Sequence, residues 1–294
     1  MAKTGLGTDI CLKNGFLPMP VHFNSPVPDI YDLERRDIWE RRSSLAGIDF
    51  RPEEQVQFLR ELGRNYGQEC NWPAKPTSNI LEFYTENNSF SFYCAASLHT
   101  IIRTVHPKRI IEIGSGNSSK VISSALKLNK VEGHVTEYTI IDPYPFKSIH
   151  NLPNVTQLIT EKVEITDIKR FDELGQNDIL FIDSSHTVRT GGDVNFLYLE
   201  ILPRLSPGVI VHIHDIGLPY EYPKVYFTNP AFRVFWTEAY LLQAFLSLNP
   251  HYEILLAMNY LTVNHFDEFL QAFPHLNPEV HKATSGSFWI KRIS

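Results

Sequence analysis

The sequence predicts an α/β fold in which a mostly parallel sheet is flanked by helices. Three features carry that reading. Apolar, β-branched runs recur and end on or beside a carboxylate, as in Arg109-Ile-Ile-Glu-Ile113, Tyr138-Thr-Ile-Ile-Asp142 and Asp178-Ile-Leu-Phe-Ile-Asp183. Such composition suits strands buried on both faces. The first run breaks into Gly114-Ser-Gly116 and then Lys120-Val-Ile-Ser-Ser-Ala-Leu126, so strand, tight turn and helix start follow one another. The 30 residues from Glu112 to Asp142 fit one helix and one strand of a βαβ unit.

Taken in order, residues 1–82 are expected to form an N-terminal cover of loop and helix, and 83–294 the main domain. Pro18, Pro20, Pro26 and Pro28 punctuate a stretch without periodicity. Arg51-Pro-Glu-Glu-Gln-Val-Gln-Phe-Leu-Arg-Glu-Leu62 has proline and acids in its first turn, with Val56, Leu59 and Leu62 at helical spacing, so it reads as a helix. Asn71-Trp-Pro-Ala-Lys-Pro76 breaks the chain, and a second helix is expected over 91–105. Tyr84, Phe90, Phe92 and Tyr93 read first as aromatics packing that helix onto the sheet, with the wall of a ligand pocket as the alternative. Gly208-Val-Ile-Val-His-Ile-His-Asp215 reads as a further strand. Leu218-Pro-Tyr-Glu-Tyr-Pro223 is expected to be a loop able to act as a lid. The apolar stretch from Ala231 to Leu248 reads as a buried helix, because Arg233, Glu238 and Gln243 interrupt it too often for a membrane span.

A glycine turn before a helix admits close ligand approach and presents unpaired N–H groups. An acid at the tip of the second strand can accept both ribose hydroxyls. A dinucleotide cradle asks for Gly-x-Gly-x-x-Gly, and here the third position is Ser119, which argues against NAD. Glu112-x-Gly114-x-Gly116 followed by Asp142 resembles the class I S-adenosylmethionine-dependent methyltransferases, over roughly Phe83 to the C-terminus. The resemblance implies a Rossmann-like seven-stranded sheet, mostly parallel, closed by an antiparallel pair from Tyr252–Ala257 and Ser287–Ile293. It also implies S-adenosylmethionine as cofactor, with Glu112, Gly114, Ser115, Gly116, Asp142 and Asp183 as its site residues. The glycine turn would lie under the methionine part, and Asp142 would hold the ribose.

In open α/β sheets ligands bind beyond the carboxyl ends of the strands. Two of those ends carry unusual clusters, Asp183-Ser-Ser-His186 and His212-Ile-His-Asp215. Strand alternation puts His212 and His214 on one side, with Asp215 at the tip. Carboxylates with imidazole make a divalent metal site for Fe, Mn, Zn or Ni ahead of Ca. Asp183, His214 and Asp215 are the candidate ligands, and a metal-free site working by proximity is the alternative. His186 is then the candidate general base beside Asp183, since histidine titrates near neutral pH. The Asp-x-x-His strand end also resembles magnesium-dependent sugar O-methyltransferases and cephalosporin-hydroxylase-like proteins. That resemblance implies O-methylation of a sugar or other small hydroxylated metabolite, with Asp183 on the metal and His186 as base. His214 stands where that subgroup carries an acid. Gly191-Gly192-Asp193 reads only as the opening of a helix. The competing functions are an NAD-dependent oxidoreductase and a non-catalytic nucleotide-binding subunit of a glycan or natural-product assembly complex.

Composition narrows the partners. The net charge is −6 with Lys and Arg scattered, so no electrostatic footprint for nucleic acid or an anionic membrane is visible. A small-molecule acceptor is the expected partner, with a homo-oligomer as an open assembly state. Cys11, Cys70 and Cys94 are widely spaced and imply neither a disulfide framework nor a thiolate metal site, which fits a cytoplasmic protein.

Overall fold

Seven strands form one sheet: β1 (Arg109–Ile113), β2 (Glu137–Ile141), β3 (Gln157–Ile159), β4 (Ile179–Ile182), β5 (Ile210–Ile213), β6 (Tyr252–Ala257) and β7 (Phe288–Arg292), in the order 3-2-1-4-5-7-6. The computed structural model describes residues 8–231, 233–281 and 285–294. The pairs β3/β2, β2/β1, β1/β4 and β4/β5 are parallel, and β7 runs antiparallel to both neighbours, β5 and β6. This is the sheet the sequence implies. Every residue of β4 and β5 is buried, which explains their unbroken apolar character. The short edge strand β3 completes the seven strands expected but is not locatable in the sequence, because Gln157-Leu-Ile159 is too short to show a period.

The strand order reverses at β1 and β4, so the carboxyl ends of these neighbours diverge into a crevice, the usual ligand position of an open α/β sheet. Gly114, Asp142, Asp183, His214 and Asp215 all follow strand ends at that edge.

The chain divides into two compact units, one of Met1–Arg41 with Pro223–Phe235, the other of Arg42–Tyr222 with Trp236–Ser294. The division therefore departs from the expected boundary at residue 82. The cause is the helix Pro52–Tyr66, which buries Val56, Leu59 and Leu62 in the main core, while its Gln55 side chain accepts a hydrogen bond from Ala257 N at 2.7 Å. Gly63 lies so close to Ala272 that an added Cβ would meet its Cβ at 2.4 Å. In the smaller unit, Asp29 caps the helix Ile30–Arg36 by accepting from Tyr31 N and Asp32 N. Lys224 there pairs with Glu34 at 3.3 Å. The first seven residues of the expected cover lie outside the described residues.

The helix expected over 91–105 spans Phe92–Val105, with Ser91 Oγ accepting from Cys94 N at 3.3 Å as its cap. Phe90, Phe92 and Tyr93 are buried in the core. Arg103 in this helix is also buried, and its guanidinium donates to Glu69, Glu132 and Asn129. The helix expected from Ala231 begins only at Glu238 and ends at Leu246, and Phe232 lies outside the described residues. Leu218–Pro223 is no free lid. Leu218 and Tyr222 are buried, Pro219 O accepts from Ser43 N at 2.8 Å, and Tyr222 OH accepts from Ala239 N at 2.9 Å. No helix among the described residues is long and apolar enough to cross a membrane.

Candidate active site

The turn after β1 is built by the strand ends around it. Gly114 has φ +79°, and a Cβ there would sit 2.0 Å from the carbonyl oxygen of Asp183. Glycine is thus required for β1 and β4 to pack at their tips, whereas the sequence suggested a requirement for ligand approach. Gly116 is extended at φ 166° with nothing within 4 Å of its Cβ position, so open space lies against it. Ser115 Oγ donates to Asp142 Oδ2 at 2.5 Å, and Tyr144 N donates to Asp142 Oδ1 at 2.8 Å. The second-strand acid is thereby tied to the glycine turn.

Glu112 takes a different place from the one expected. It is fully buried, and its carboxylate accepts from Ser118 Oγ at 2.6 Å, Ser119 Oγ at 2.8 Å and the Tyr138 hydroxyl. Burial raises its pKa to about 7, against the three hydroxyl donors that favour the carboxylate. With both oxygens engaged inside the core, Glu112 fixes the start of the helix Asn117–Val131. Ser119, the residue that replaces the third glycine, accepts from Gly116 N at 3.0 Å while donating to Glu112.

Two clefts meet at Asp183. One of about 430 Å³ is lined by Ser89, Phe90, Ser115, Gly116, Asn117 and Asp183 among others. The second, of about 270 Å³, includes Gly114, Tyr144, Val163, Asp183 and Ser184.

Around Asp183 stands a cluster of acids and imidazoles. His186 Nε2 lies 3.2 Å from Asp183 Oδ1 and 3.5 Å from Asp215 Oδ2, and its Nδ1 lies 2.9 Å from Glu238 Oε2. His214 Nδ1 lies 3.4 Å from Asp215 Oδ1 and 3.6 Å from Asp183 Oδ1, with its ring stacked on Phe90 at 5.1 Å. Both histidines are buried, so burial disfavours their charge, but the facing carboxylates outweigh it. His186 is raised to about 10, and His214 is held well above the usual imidazole range. Burial works against the Asp183 charge too, and His214 and His186 overcome it, holding that carboxyl below the ordinary carboxylate range. His186 at φ +56° and Asp215 at φ +57° both adopt the left-handed conformation, a strain of a kind that clusters at functional sites.

Asp183 and Asp215, two of the candidate ligands read from the sequence, are flanked by His186 as well as by His214. Asp183, His186 and Asp215 each offer one atom within 4.8 Å of the others. The left-handed backbone of His186 turns its ring back over the strand tips, a placement that strand periodicity does not reveal. His214 braces the same carboxylates from the Phe90 side. His212 belongs to the core: it stacks on Phe181 at 4.0 Å, shares a hydrogen bond with Ser287 Oγ at 2.9 Å, and burial drives its pKa well down. Asp193, at the start of the helix Asp193–Phe196, accepts from Ser185 N at 2.9 Å and Ser185 Oγ at 2.5 Å, and so shapes the loop between Asp183 and His186.

Residues 111–216 match a family model described as a methyltransferase domain. The chain is 32% identical over 195 residues to an uncharacterised protein of Archaeoglobus fulgidus, covering 63% of this chain and 87% of that one. The chain belongs to the class I S-adenosylmethionine-dependent methyltransferases. Two solved structures are similar at lower levels: cmcI-N160 with SAH, at 15% identity over 69% of this chain and 77% of that one with a TM-score of 0.38, and the cmcI-N160 apo form, at 16%, 69%, 71% and 0.41. Likeness at that level assigns no residue. The enzymatic assignment removes the oxidoreductase and the non-catalytic subunit from consideration.

In this methyltransferase the residue that sequence reasoning passed over is Glu238. It appeared only as a polar interruption of an apolar helix, yet it is fully buried against His186. A lone acid at the head of Glu-Ala-Tyr-Leu-Leu-Gln-Ala-Phe-Leu246 was the available signal, since an unpaired buried carboxylate is costly. Trp236, whose ring lies 4.6 Å from the imidazole of His186, was missed for the same reason.

Proposed function

We propose that this methyltransferase transfers its methyl group to a hydroxyl oxygen of a small hydroxylated metabolite, a sugar before others, at a divalent cation held by Asp183, His186 and Asp215. The observation that carries this reading is the convergence of those three residues within 4.8 Å beside the cofactor turn. The donor set fits the group, because two carboxylates and one imidazole suit a divalent transition metal or magnesium. When bound, such an ion supplies Lewis acidity that lowers the pKa of an acceptor hydroxyl.

The protein's own residues provide the rest. The hydrogen bond between Ser115 and Asp142 supports a ribose site at that turn, and the open space beside Gly116 supports the methionine part lying there. Asp183, shared by both clefts, stands where cofactor and acceptor would meet. His214 lies against both carboxylates, balances their charge and keeps Asp183 and Asp215 together. Ser89, Asn117 and Ser148 line the larger cleft with hydroxyl and amide groups that suit a polyhydroxylated acceptor. His186 as general base is the second reading. It is favoured by the 3.2 Å approach of Nε2 to Asp183, and opposed by the proton that the surrounding carboxylates hold on the ring at neutral pH.

Conversion of S-adenosylmethionine to S-adenosylhomocysteine with a panel of glycosides and sugar nucleotides, before and after chelation, tests the proposal. Acceptor-dependent turnover that disappears on chelation and returns with Mg²⁺ or Mn²⁺ is expected. Full turnover after exhaustive chelation would refute the metal reading, and transfer to amines alone would refute the oxygen acceptor.

A further inference from the structure

Glu238, like Glu112, has no solvent exposure, and it stands at the first position of the helix Glu238–Leu246. A carboxylate in such a place costs several kcal/mol unless a partner compensates. Its partner is the His186 ring, with Oε2 at 2.9 Å from Nδ1. The other carboxylate oxygen, Oε1, is buried without a hydrogen-bond partner among the described residues. The main chain adds to this grip: Thr237 N and Glu238 N donate to His186 O at 2.9 Å and 3.1 Å, and Thr237 Oγ1 accepts from Val188 N at 2.7 Å. Backbone and imidazole of His186 are therefore both held by one dipeptide, Thr237–Glu238, which lies 52 residues further along the chain.

We propose that Glu238 is a positioning residue that fixes His186 with its proton on Nδ1, so that the Nε2 lone pair is directed between Asp183 and Asp215 at a divalent cation. This inference rests on the metal reading above. An imidazole has two nitrogens, and the hydrogen bond made by one decides what the other offers. Here the nitrogen turned inward meets an acceptor-only carboxylate. The one turned outward meets two carboxylates, to which it donates a proton when no cation is present, and a divalent cation bound there would take that proton's place. A carboxylate behind a metal-bound histidine also raises its basicity and fixes its ring plane. Trp236 packs on the ring at 4.6 Å and limits its rotation. Glu238 touches neither cofactor nor acceptor in this arrangement, and acts only through His186.

The experiment uses the full-length protein and Glu238→Gln, which keeps volume and hydrogen-bonding capacity while removing the charge. Mn²⁺ binding and S-adenosylhomocysteine binding are measured by calorimetry on both proteins. The ¹⁵N shifts of the His186 ring are recorded in wild type with and without Zn²⁺. The expected result is about a 10–100-fold weaker Mn²⁺ affinity in the variant, with S-adenosylhomocysteine affinity within about twofold of wild type. In wild type, Zn²⁺ should shift Nε2 while Nδ1 stays protonated. A variant that binds Mn²⁺ like wild type, or Zn²⁺ bound through Nδ1, overturns the inference and leaves the metal reading standing. Absence of any divalent binding to wild type removes the metal reading and this inference with it. The wild-type spectra decide the question even if Glu238→Gln fails to fold.

Discussion

Replacing Gly114 by alanine perturbs one distance on which both clefts depend. The new Cβ would lie 2.0 Å from the Asp183 carbonyl oxygen, and ordinary contact begins near 3.4 Å, so the tip of β4 must retreat by at least about 1.4 Å. The obstacle is backbone, and no rotamer change relieves it. Alanine at φ +79° adds roughly 1–2 kcal/mol of conformational cost. Asp183 N is anchored to Ile113 O at 2.9 Å, so the retreat strains the pairing of β1 and β4 at their ends. A misplacement of about 1 Å among reacting groups can cost on the order of 10²-fold in rate. Gly114→Ala is therefore expected to remain folded with a lowered melting temperature. It should bind S-adenosylhomocysteine weakly and lose about 10²-fold or more in kcat, read by calorimetry, thermal unfolding and methyl-transfer assay. An alanine variant with wild-type turnover and cofactor affinity would refute the reasoning, because the Asp183 position would then not matter to the chemistry.

Two further expectations follow from the same geometry. Asp142→Ala removes charge-assisted hydrogen bonds worth about 1.5–3 kcal/mol, so cofactor affinity should fall about ten- to a hundredfold in calorimetry, and an unchanged affinity would move the ribose contact elsewhere. For Glu69, burial raises the pKa, but the hydrogen bonds and charges of His99 and Arg103 win and lower it to about 2. An acid with a depressed native pKa stabilises the fold above its unfolded value near 4.5 and loses that contribution as pH falls through about 2. Glu69→Gln should therefore cost about 2 kcal/mol in denaturant unfolding at pH 7, after discounting for partial exposure, and the gap between the proteins should close in acid. A gap that stays constant from pH 7 to pH 2 would contradict the charge argument.

What the sequence disclosed was local, and what it concealed was not. The Gly114 turn, Asp142 and Asp183 were visible because each sits at a strand end whose β-branched residues announce the strand. His186 stood out in the sequence as a candidate but not in its geometry, since its left-handed φ of +56° folds the ring against periodic expectation. His214 was assigned by alternation to the same side as His212, yet alternation could not tell that Phe90 would stack on it and that His186 would stand against the same two acids. Glu112 was read as a ligand contact because it lies in the motif, and the hydroxyls that occupy it come partly from Tyr138 on the neighbouring strand. Glu238 was hidden most completely. Its meaning depends on a partner 52 residues earlier, and a helix pattern shows only that it interrupts an apolar face.

The central claim is that Asp183, His186 and Asp215 form a metal centre beside the cofactor turn. A crystal structure of the protein with S-adenosylhomocysteine and Mn²⁺, with anomalous data collected for manganese, tests it most directly. The account predicts one anomalous peak bonded to Asp183, His186 Nε2 and Asp215, with the ribose on Asp142 and the sulfur facing Asp183. S-adenosylhomocysteine bound in that pose with no anomalous peak between these residues at millimolar Mn²⁺ would contradict it.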